Sequence, residues 1–152
     1  VSYGAPPPAA HKNYREMLLA EVGEQLDTGR VCFTGRLSYT DYLRLLQLSR
    51  LHIYFTYPFV LSWSMLQAMS AGAYVVGSRT PPVEEVIRDG VNGRLIDFFD
   101  VAAWSDALIE GLAHPERNAA MRAAGRRTVV EGYDLSTVSL PKLIAFVEGA
   151  GI

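Results

Sequence analysis

The sequence has little cysteine and no long apolar run. Cys32 is the single cysteine among 152 residues, so no disulfide can form within the chain and a reducing compartment is compatible with it. No apolar run approaches the roughly 20 residues of a membrane-spanning helix, and the amino terminus lacks the pattern of a signal peptide. We therefore expect a cytoplasmic protein with no transmembrane segment, leaving open a peripheral membrane location, and we expect Cys32 to be buried.

The sequence also lacks an excess of basic residues. Its 14 Lys and Arg against 16 Asp and Glu give a formal net charge of −2, which argues against DNA or RNA as partners. The three histidines His11, His52 and His114 are scattered without metal-ligand spacing, so we expect neither a metal nor another cofactor. Hydrophobic residues make up 49% and charged residues 20%, which predicts a compact fold. Because the chain begins with Val1, we expect it to be part of a longer protein.

The periodicity of the apolar residues predicts alternating helices and strands. Asn13, Ser38, and Ser62 or Ser64 are suited to cap helices, and Gly72 is suited to end one. The run at 51–55 is nearly continuous in apolar residues, as in a strand buried on both faces of a parallel sheet. The fold class is α/β, Rossmann-like, with flanking helices. The predicted strands are 31–33, 51–55, 73–77 and 94–96, and the predicted helices are 13–27, one from 39, one up to 71, 81–88, 102–113, 116–131 and 136–148.

The loop before the third predicted helix is the most informative segment for function. In open α/β sheets, ligands bind beyond the carboxyl ends of the strands, where helix amino termini present free N–H groups. The N–H groups of Ser62 to Met65 are placed for an anion such as a diphosphate, and Gln67 for a sugar hydroxyl. The alternative is a capped core helix with Gln67 at a hydrated edge. Trp63 can stack on a base or sugar, but we expect it to pack in the core.

Five motifs occur in an order that resembles one enzyme family. Together they are similar to the carboxyl-terminal domain of the family 4 glycosyltransferases, retaining enzymes of GT-B architecture, over residues 31 to 135. The motifs are Val31-Cys32-Phe33-Thr34-Gly35-Arg36-Leu37, the apolar strand to Phe55, Gln67-Ala68-Met69-Ser70-Ala71-Gly72, Val75-Val76-Gly77-Ser78, and Glu85-Val86-Ile87-Arg88-Asp89-Gly90-Val91-Asn92-Gly93.

The resemblance implies a site for a nucleotide-diphosphate sugar and assigns no catalytic residue. The family places two glutamates eight positions apart, near the transferred sugar and on the nucleotide ribose, and here Phe59 and Gln67 stand at those positions. Gln67 keeps one acceptor and gains a donor, whereas Phe59 cannot take a polar role. The residues expected to bind the donor are Gly35, Arg36, Phe59, Leu61, Ser62, Trp63, Ser64, Gln67 and Glu85.

Glu85 and Arg36 each have an alternative role in which they bind no ligand. Glu84 and Glu85 diverge by about 100° on a helix, so one of them points inward, and the motif of the family favours Glu85. Its alternative role is a first-turn carboxylate stabilised by the helix dipole. Arg36 meets a phosphate or is a solvated surface residue.

The resemblance also implies that parts of the enzyme lie outside this chain. In that family the domain starts with a strand and a loop of Arg and Lys that neutralises the diphosphate, upstream of the segment matching Tyr3 and Gly4. An amino-terminal domain supplies the acceptor pocket in cis. We therefore expect 1–152 to be one nucleotide-sugar-binding domain, truncated at its start and inactive alone. We also expect the unpaired sheet edge to favour self-association.

Two other functions compete with this interpretation. The substitutions at Phe59 and Gln67 are compatible with a binding or scaffold domain that has lost catalysis. A nucleotide-sugar epimerase shares the architecture but needs acid and base residues in the cleft, which the sequence does not offer.

Overall fold

The computed structural model describes residues 13–27, 29–56 and 60–149. The chain divides into two units, one ending at Leu37 and the other beginning at Ser38. Tyr3, Gly4 and Phe59 lie outside the described residues. The predictions made for them, for a single domain over 1–152 and for self-association through an edge near Tyr3 all stay predictions.

In the part of the first unit that the structure describes, one helix, α1, spans Tyr14–Val22, and a 3-10 turn follows over Gly23–Gln25. The predicted cap is confirmed, because the Asn13 side chain accepts a hydrogen bond from the Glu16 N–H at 2.9 Å. The α-helix stops before residue 27, since the tighter 3-10 turn takes over at Gly23.

The predicted strand at 31–33 is wrong, because these residues form no strand. The Val31 N–H instead donates to the Asp27 carbonyl at 3.1 Å within a turn. A β-prone run becomes a strand only when a neighbouring strand accepts its hydrogen bonds, and none of the described residues pairs with this one. Val31 is 39% and Phe33 50% exposed. Cys32 is exposed as well, so the prediction of a buried thiol is also wrong.

The second unit alternates strands and helices, as the α/β class predicts. Ser38 caps α2 by accepting a hydrogen bond from the Asp41 N–H at 3.1 Å. A 3-10 turn over Pro115–Asn118 precedes α6 and a π turn over Leu135–Ser139 precedes α7. The elements are α2 Tyr39–Leu48, β1 Leu51–Tyr54, α3 Trp63–Ser70, β2 Tyr74–Ser78, α4 Pro81–Glu84, β3 Arg94–Ile96, α5 Val101–Ala113, α6 Ala119–Tyr133 and α7 Leu140–Gly149.

Three strands occur among the described residues of this unit, and they form a parallel sheet in the order β1-β2-β3. Leu51 pairs with Tyr74, and Gly77 pairs with Leu95. All five residues of β2 are buried, as expected for a central strand with helices on both faces. Among the described strands β1 lies at one edge of the sheet, and its Ile53 is 49% exposed, so the prediction that this strand is buried on both faces is wrong.

The side chains of β2 alternate between two hydrophobic clusters, one on each face of the sheet. Val75 joins a cluster with the buried residues of α3 and α4, and Tyr74 and Val76 join one with Trp104 of α5. Helices therefore cover both faces, which confirms the predicted fold class. The chain turns sharply at Gly72 and Gly90, where φ is 83° and 74°, values that residues with a Cβ rarely adopt.

A buried asparagine fixes the turn between α4 and β3. Asn92 is 6% exposed; its amide group donates to the Val86 carbonyl at 2.9 Å and to Thr128 Oγ1 of α6 at 3.0 Å. Its side-chain oxygen accepts from the Arg88 N–H at 2.7 Å. α4 ends at Glu84 and does not reach the predicted residue 88, because the Val86 N–H bonds to the Val83 carbonyl three residues back and the Arg88 N–H bonds to Asn92. A polar group placed so far from water is stable only with such partners.

We predict that Asn92→Ala lowers the free energy of unfolding by about 1–3 kcal/mol, because Val86, Arg88 and Thr128 lose a partner in a buried setting. Urea denaturation measures this change. Thr128→Val removes one of the three bonds and should cost less. Equal losses in the two variants would contradict the central role given to Asn92.

A second prediction concerns pH. Burial holds the pKa of His52, on β1, below its ordinary value of 6.5, since burial disfavours the charged imidazolium. The unfolded chain therefore binds more protons than the folded chain below that value. Stability is complete above pH 6.5 and falls as the pH drops toward the folded-state pKa.

Thermal unfolding between about pH 8 and pH 5 tests this sign. The Tm should fall on acidification, and His52→Gln should flatten the fall. His114→Gln, which changes a histidine with 45% of its side chain exposed, serves as the matched control and should leave the His52 contribution intact. A steeper fall in His52→Gln would show that the sign is wrong.

Candidate functional site

The loop before α3 is tied to the end of β1. The Ser62 N–H donates to the Tyr54 hydroxyl at 2.9 Å, and Tyr54 is the last residue of β1. Ser62 has an extended backbone, and its side chain accepts from the Ser64 N–H at 3.3 Å. Of the two predicted caps, Ser62 is therefore the one that starts the helix.

The amino terminus of α3 keeps fewer N–H groups for a ligand than the sequence suggests. The N–H groups of Ser62 and Ser64 are bonded as above, and the Met65 N–H donates to the Ser62 carbonyl at 3.2 Å. Three of the four N–H groups predicted to face a diphosphate thus have partners within the chain. An anion at this terminus competes with the cap for them, and the diphosphate site stays a prediction.

The burial of α3 divides the helix into two faces. Met65, Leu66, Ala68 and Met69 are buried, whereas Trp63 is 77% exposed and Gln67 is half-buried. At 100° per residue, positions 63, 67 and 70 share one side of the helix, and Leu66 lies where this side borders the buried one. The expectation that Trp63 packs in the core is therefore wrong, and its ring is available for stacking.

Gln67 and Trp63 line one cavity of about 360 Å³, which also involves α2 and the end of α6. Gln67 Nε2 donates to the Tyr39 hydroxyl at 3.5 Å, the long limit for a hydrogen bond. Tyr39 is 63% exposed. The cavity therefore combines the aromatic rings of Trp63 and Tyr39 with the Gln67 amide, whose hydrogen bond to Tyr39 is weak. Its other lining residues are Leu66, Ser70, Val129, Val130, Tyr133, Asp134 and Leu135.

The structure does not bring every predicted residue to this cavity. Glu85 lines a separate cavity of about 310 Å³ beside Arg127 and Thr128 of α6. It follows the last residue of α4, so the alternative role in the first turn is wrong. Glu84 lies in that turn and its carboxylate is 3.5 Å from the Arg79 guanidinium.

The remaining predicted residues are placed as follows. Gly35, with φ at 64°, and Arg36 belong to the first unit, and both are exposed. Leu61 packs against the core cluster of the second unit, and Ser64 lies in the first turn of α3 with its hydroxyl 3.0 Å from that of Ser62. The assignment of all of these residues to donor binding stays a prediction.

Sequence reasoning missed Tyr39, Tyr133 and Asp134 as lining residues. Tyr39 directly follows the Ser38 cap, and a side chain in the first turn of a helix often stays exposed, so its position is the available signal. Tyr133 and Asp134 lie at the end of α6, more than 60 positions beyond Gln67. No local pattern links them, because only the packing of α6 against α3 brings them near.

Two arginines of α6 hold the carboxyl end of α3. Arg122 Nε donates to the Gly72 carbonyl at 2.7 Å, and Arg126 donates to the Ser70 carbonyl. Helix carboxyl ends leave carbonyls unpaired and carry partial negative charge, so cations are favourable there. These two hydrogen bonds hold the carboxyl end of α3 against α6, and they thereby help to position Gln67 on α3.

The described residues contain no helix long and apolar enough to cross a membrane. Within the same ranges, no group of three or more His, Cys, Asp and Glu is arranged to hold a metal ion.

The sequence model of the glycosyl transferases group 1 matches residues 10–128 of the chain. The GDP-mannose-dependent alpha-(1-6)-phosphatidylinositol monomannoside mannosyltransferase of Mycolicibacterium smegmatis is 36% identical over 72 residues, 47% of this chain and 19% of that protein. The D-inositol 3-phosphate glycosyltransferase of Mycobacterium bovis is 27% identical over 116 residues, 74% of this chain and 24% of that protein. The chain thus spans about a fifth to a quarter of these relatives.

Solved structures show the same fold. The Anabaena protein HepE in complex with UDP superposes with a TM-score of 0.79 at 18% identity, over 89% of this chain and 37% of its own. Sucrose-phosphate synthase from Thermosynechococcus elongatus superposes with a TM-score of 0.78 at 19% identity, over 97% of this chain and 37% of its own. The parallel sheet with flanking helices is therefore the fold of known glycosyltransferase structures.

We predict that Arg122→Met lowers the free energy of unfolding by about 1.5–3 kcal/mol, the range for a hydrogen bond to a charged group. Methionine keeps the apolar stem and removes the donor to Gly72. Arg127→Met on the same helix, where the side chain is exposed, should change stability by less than about 0.5 kcal/mol. Urea denaturation compares the two, and an equal effect would show that the bond to Gly72 does not anchor α3.

Proposed function

The chain belongs to the group 1 glycosyl transferases, and on this premise we propose that it binds a nucleotide-diphosphate sugar for a retaining glycosyltransferase. The observation that carries the proposal is the cavity shared by Gln67, Trp63 and Tyr39. It combines a polar amide for ribose or sugar hydroxyls with exposed rings for stacking on a base or sugar.

In this proposal Gln67 binds the ribose of the donor. Its amide offers both a donor and an acceptor, which suits a hydroxyl pair. Its contact with Tyr39, at 3.5 Å, is weak enough to be exchanged for a bond to the ligand. A glutamate at this position forms charge-assisted bonds roughly twice as strong, so we expect moderate donor affinity.

The chemistry requires stabilisation of the diphosphate that leaves as the glycosidic bond breaks. We assign this role to Leu61 and Ser62 of the loop before α3 and to Ser64 in the first turn of that helix, and we propose no metal ion or other cofactor. The acceptor site belongs to a further domain of the same protein in this proposal, so the 152-residue chain alone binds donor without transferring sugar. We place the whole protein in the cytoplasm.

The donor nucleotide is a matter for experiment. One relative is named for its dependence on GDP-mannose, and the Anabaena protein was solved with UDP. We therefore propose titrating GDP-mannose and UDP-glucose in parallel, since one of the two nucleotides should be preferred.

A second candidate is a scaffold domain that keeps the fold without catalysis. It is favoured by the absence of a carboxylate at Phe59 and Gln67, where the family resemblance places two glutamates. A protein that binds the donor but shows neither transfer nor hydrolysis of the sugar, in the presence of its amino-terminal domain, would support this candidate.

We predict that Gln67→Ala weakens nucleotide binding by about 1–2 kcal/mol, roughly ten-fold, through loss of a polar partner at a half-buried position. Gln67→Glu should retain or improve binding, because it restores the charge-assisted bond. Isothermal titration calorimetry on the full-length protein gives the affinities.

The matched control is Gln47→Ala, which changes an exposed glutamine of α2 outside the cavity. It should bind the donor as the parent does. Unchanged affinity in Gln67→Ala would contradict the ribose role and favour the scaffold candidate.

A further inference from the structure

A second cavity lies away from the Gln67 site, between α5 and the sheet. It measures about 450 Å³ and includes Tyr74 and Arg94, the first residues of β2 and β3. It also includes Ile96, the last residue of β3, and no residue of α3.

Small residues on one side of α5 make room for this cavity. Ala103, Ala107 and Gly111 are spaced four apart and all line it, so they share a face of the helix. A Cβ at Gly111 would lie 2.7 Å from Leu51 Cδ1 and 3.1 Å from the Tyr74 ring. The lack of a side chain at Gly111 permits this close approach of α5 to β1 and β2, and the short side chains of the two alanines leave space beside it.

Two largely buried polar side chains in the cavity wall have unused hydrogen-bonding capacity. Tyr74 is 5% exposed, and its hydroxyl makes no hydrogen bond to any residue within 13–27, 29–56 or 60–149. Asn118 is 7% exposed; its amide group donates to the Gly111 carbonyl at 3.3 Å, and its oxygen accepts nothing from the described residues. Thr80 Oγ1 is the one fully buried side-chain atom of the described residues that has no partner, so the Tyr74 hydroxyl and the Asn118 oxygen are open to the cavity and can bond to a molecule in it.

The side chains that line the cavity include two cations and two anions. Arg94 and Arg117 carry positive charge, and Asp106 and Glu110 carry negative charge. The Glu110 carboxylate lies 3.8 Å from the Arg117 guanidinium. Burial raises the pKa of Tyr74 above its ordinary value of 10.0, so its hydroxyl stays protonated at neutral pH and can both donate and accept. The wall therefore offers hydrogen-bond donors and acceptors in similar number, and it favours neither a positively nor a negatively charged ligand.

We propose that this cavity binds an uncharged polyhydroxylated molecule of about the size of a monosaccharide. A hydroxyl group donates and accepts at once, which matches a wall of guanidinium, carboxylate, phenol and amide groups with no net charge. The volume of about 450 Å³ is within the usual range for small-molecule sites. This inference does not rest on the proposed donor site, since the two cavities share no lining residue.

Titration of the isotope-labelled chain, followed by the NMR shifts of its backbone amides, tests the proposal. The uncharged probes are D-mannose, D-glucose and myo-inositol, and the charged probes are citrate and spermidine. We expect at least one uncharged probe to shift the amides of Tyr74, Gly111 and Asn118 with saturation at millimolar concentration. We expect neither charged probe to do so more strongly. Shifts from the charged probes alone, or from none of the five, would overturn the proposal.

A matched pair of variants assigns the binding to the cavity. Ala107→Leu fills it and should weaken binding at least about ten-fold. Ala102→Leu adds the same volume to an exposed position of the same helix and should leave binding unchanged. Tyr74→Phe keeps the ring and should weaken binding about three- to ten-fold through the lost hydroxyl.

If Ala107→Leu does not fold, the Tyr74→Phe variant decides. Equal affinity in Tyr74→Phe and the parent would then overturn the proposal. Gln67→Ala should not affect the titration, so failure of this site and failure of the donor site are separate results.

Discussion

The carboxyl end of α3 is held by α6, and the geometry of the candidate site depends on this contact. Arg122 and Arg126 supply hydrogen bonds and positive charge to carbonyls that the helix itself leaves unpaired. Because α3 has only eight residues, its own hydrogen bonds cannot fix its direction. The amino end is fixed independently, by the bond between Ser62 and Tyr54. A short helix held at both ends can present Gln67 in a defined position.

The same helix α6 also fixes the turn before β3. A Cβ at Gly125 would lie 2.9 Å from the Asn92 carbonyl oxygen, so glycine permits the close approach that lets Thr128 reach the Asn92 amide. One face of α6 thus contacts both the end of α3 and the turn that leads into β3. The helix with Gln67 and the edge of the sheet are therefore positioned by a single element, and loosening α6 should disturb both.

The sequence predicts a helix end correctly where that end depends on a hydrogen bond to a residue close by in the chain. Asn13, Ser38 and Ser62 cap helices because the N–H groups that they bond are two or three residues away. The strand Arg94–Ile96 was predicted with its bounds. The prediction failed where the outcome depends on distant partners. Residues 31–33 form a strand only beside another strand, and Trp63 is buried only if another element covers it. The cavity at Gln67 likewise needs Tyr133, which no local pattern links to α3.

The weak contact of the Gln67 side chain affects how much affinity a new hydrogen bond to a ligand can provide. Its side chain has one weak contact, to Tyr39 at 3.5 Å, while the backbone that supports it is held at both ends of α3. Ordering a side chain on a fixed helix costs about 0.5–1.5 kcal/mol, much less than ordering a loop with it. Exchange of the Tyr39 contact for a ligand hydroxyl leaves no buried group unpaired, because Tyr39 remains open to water. The net gain from the new hydrogen bond is therefore retained as affinity, and a glutamine can serve here without the charge of a carboxylate.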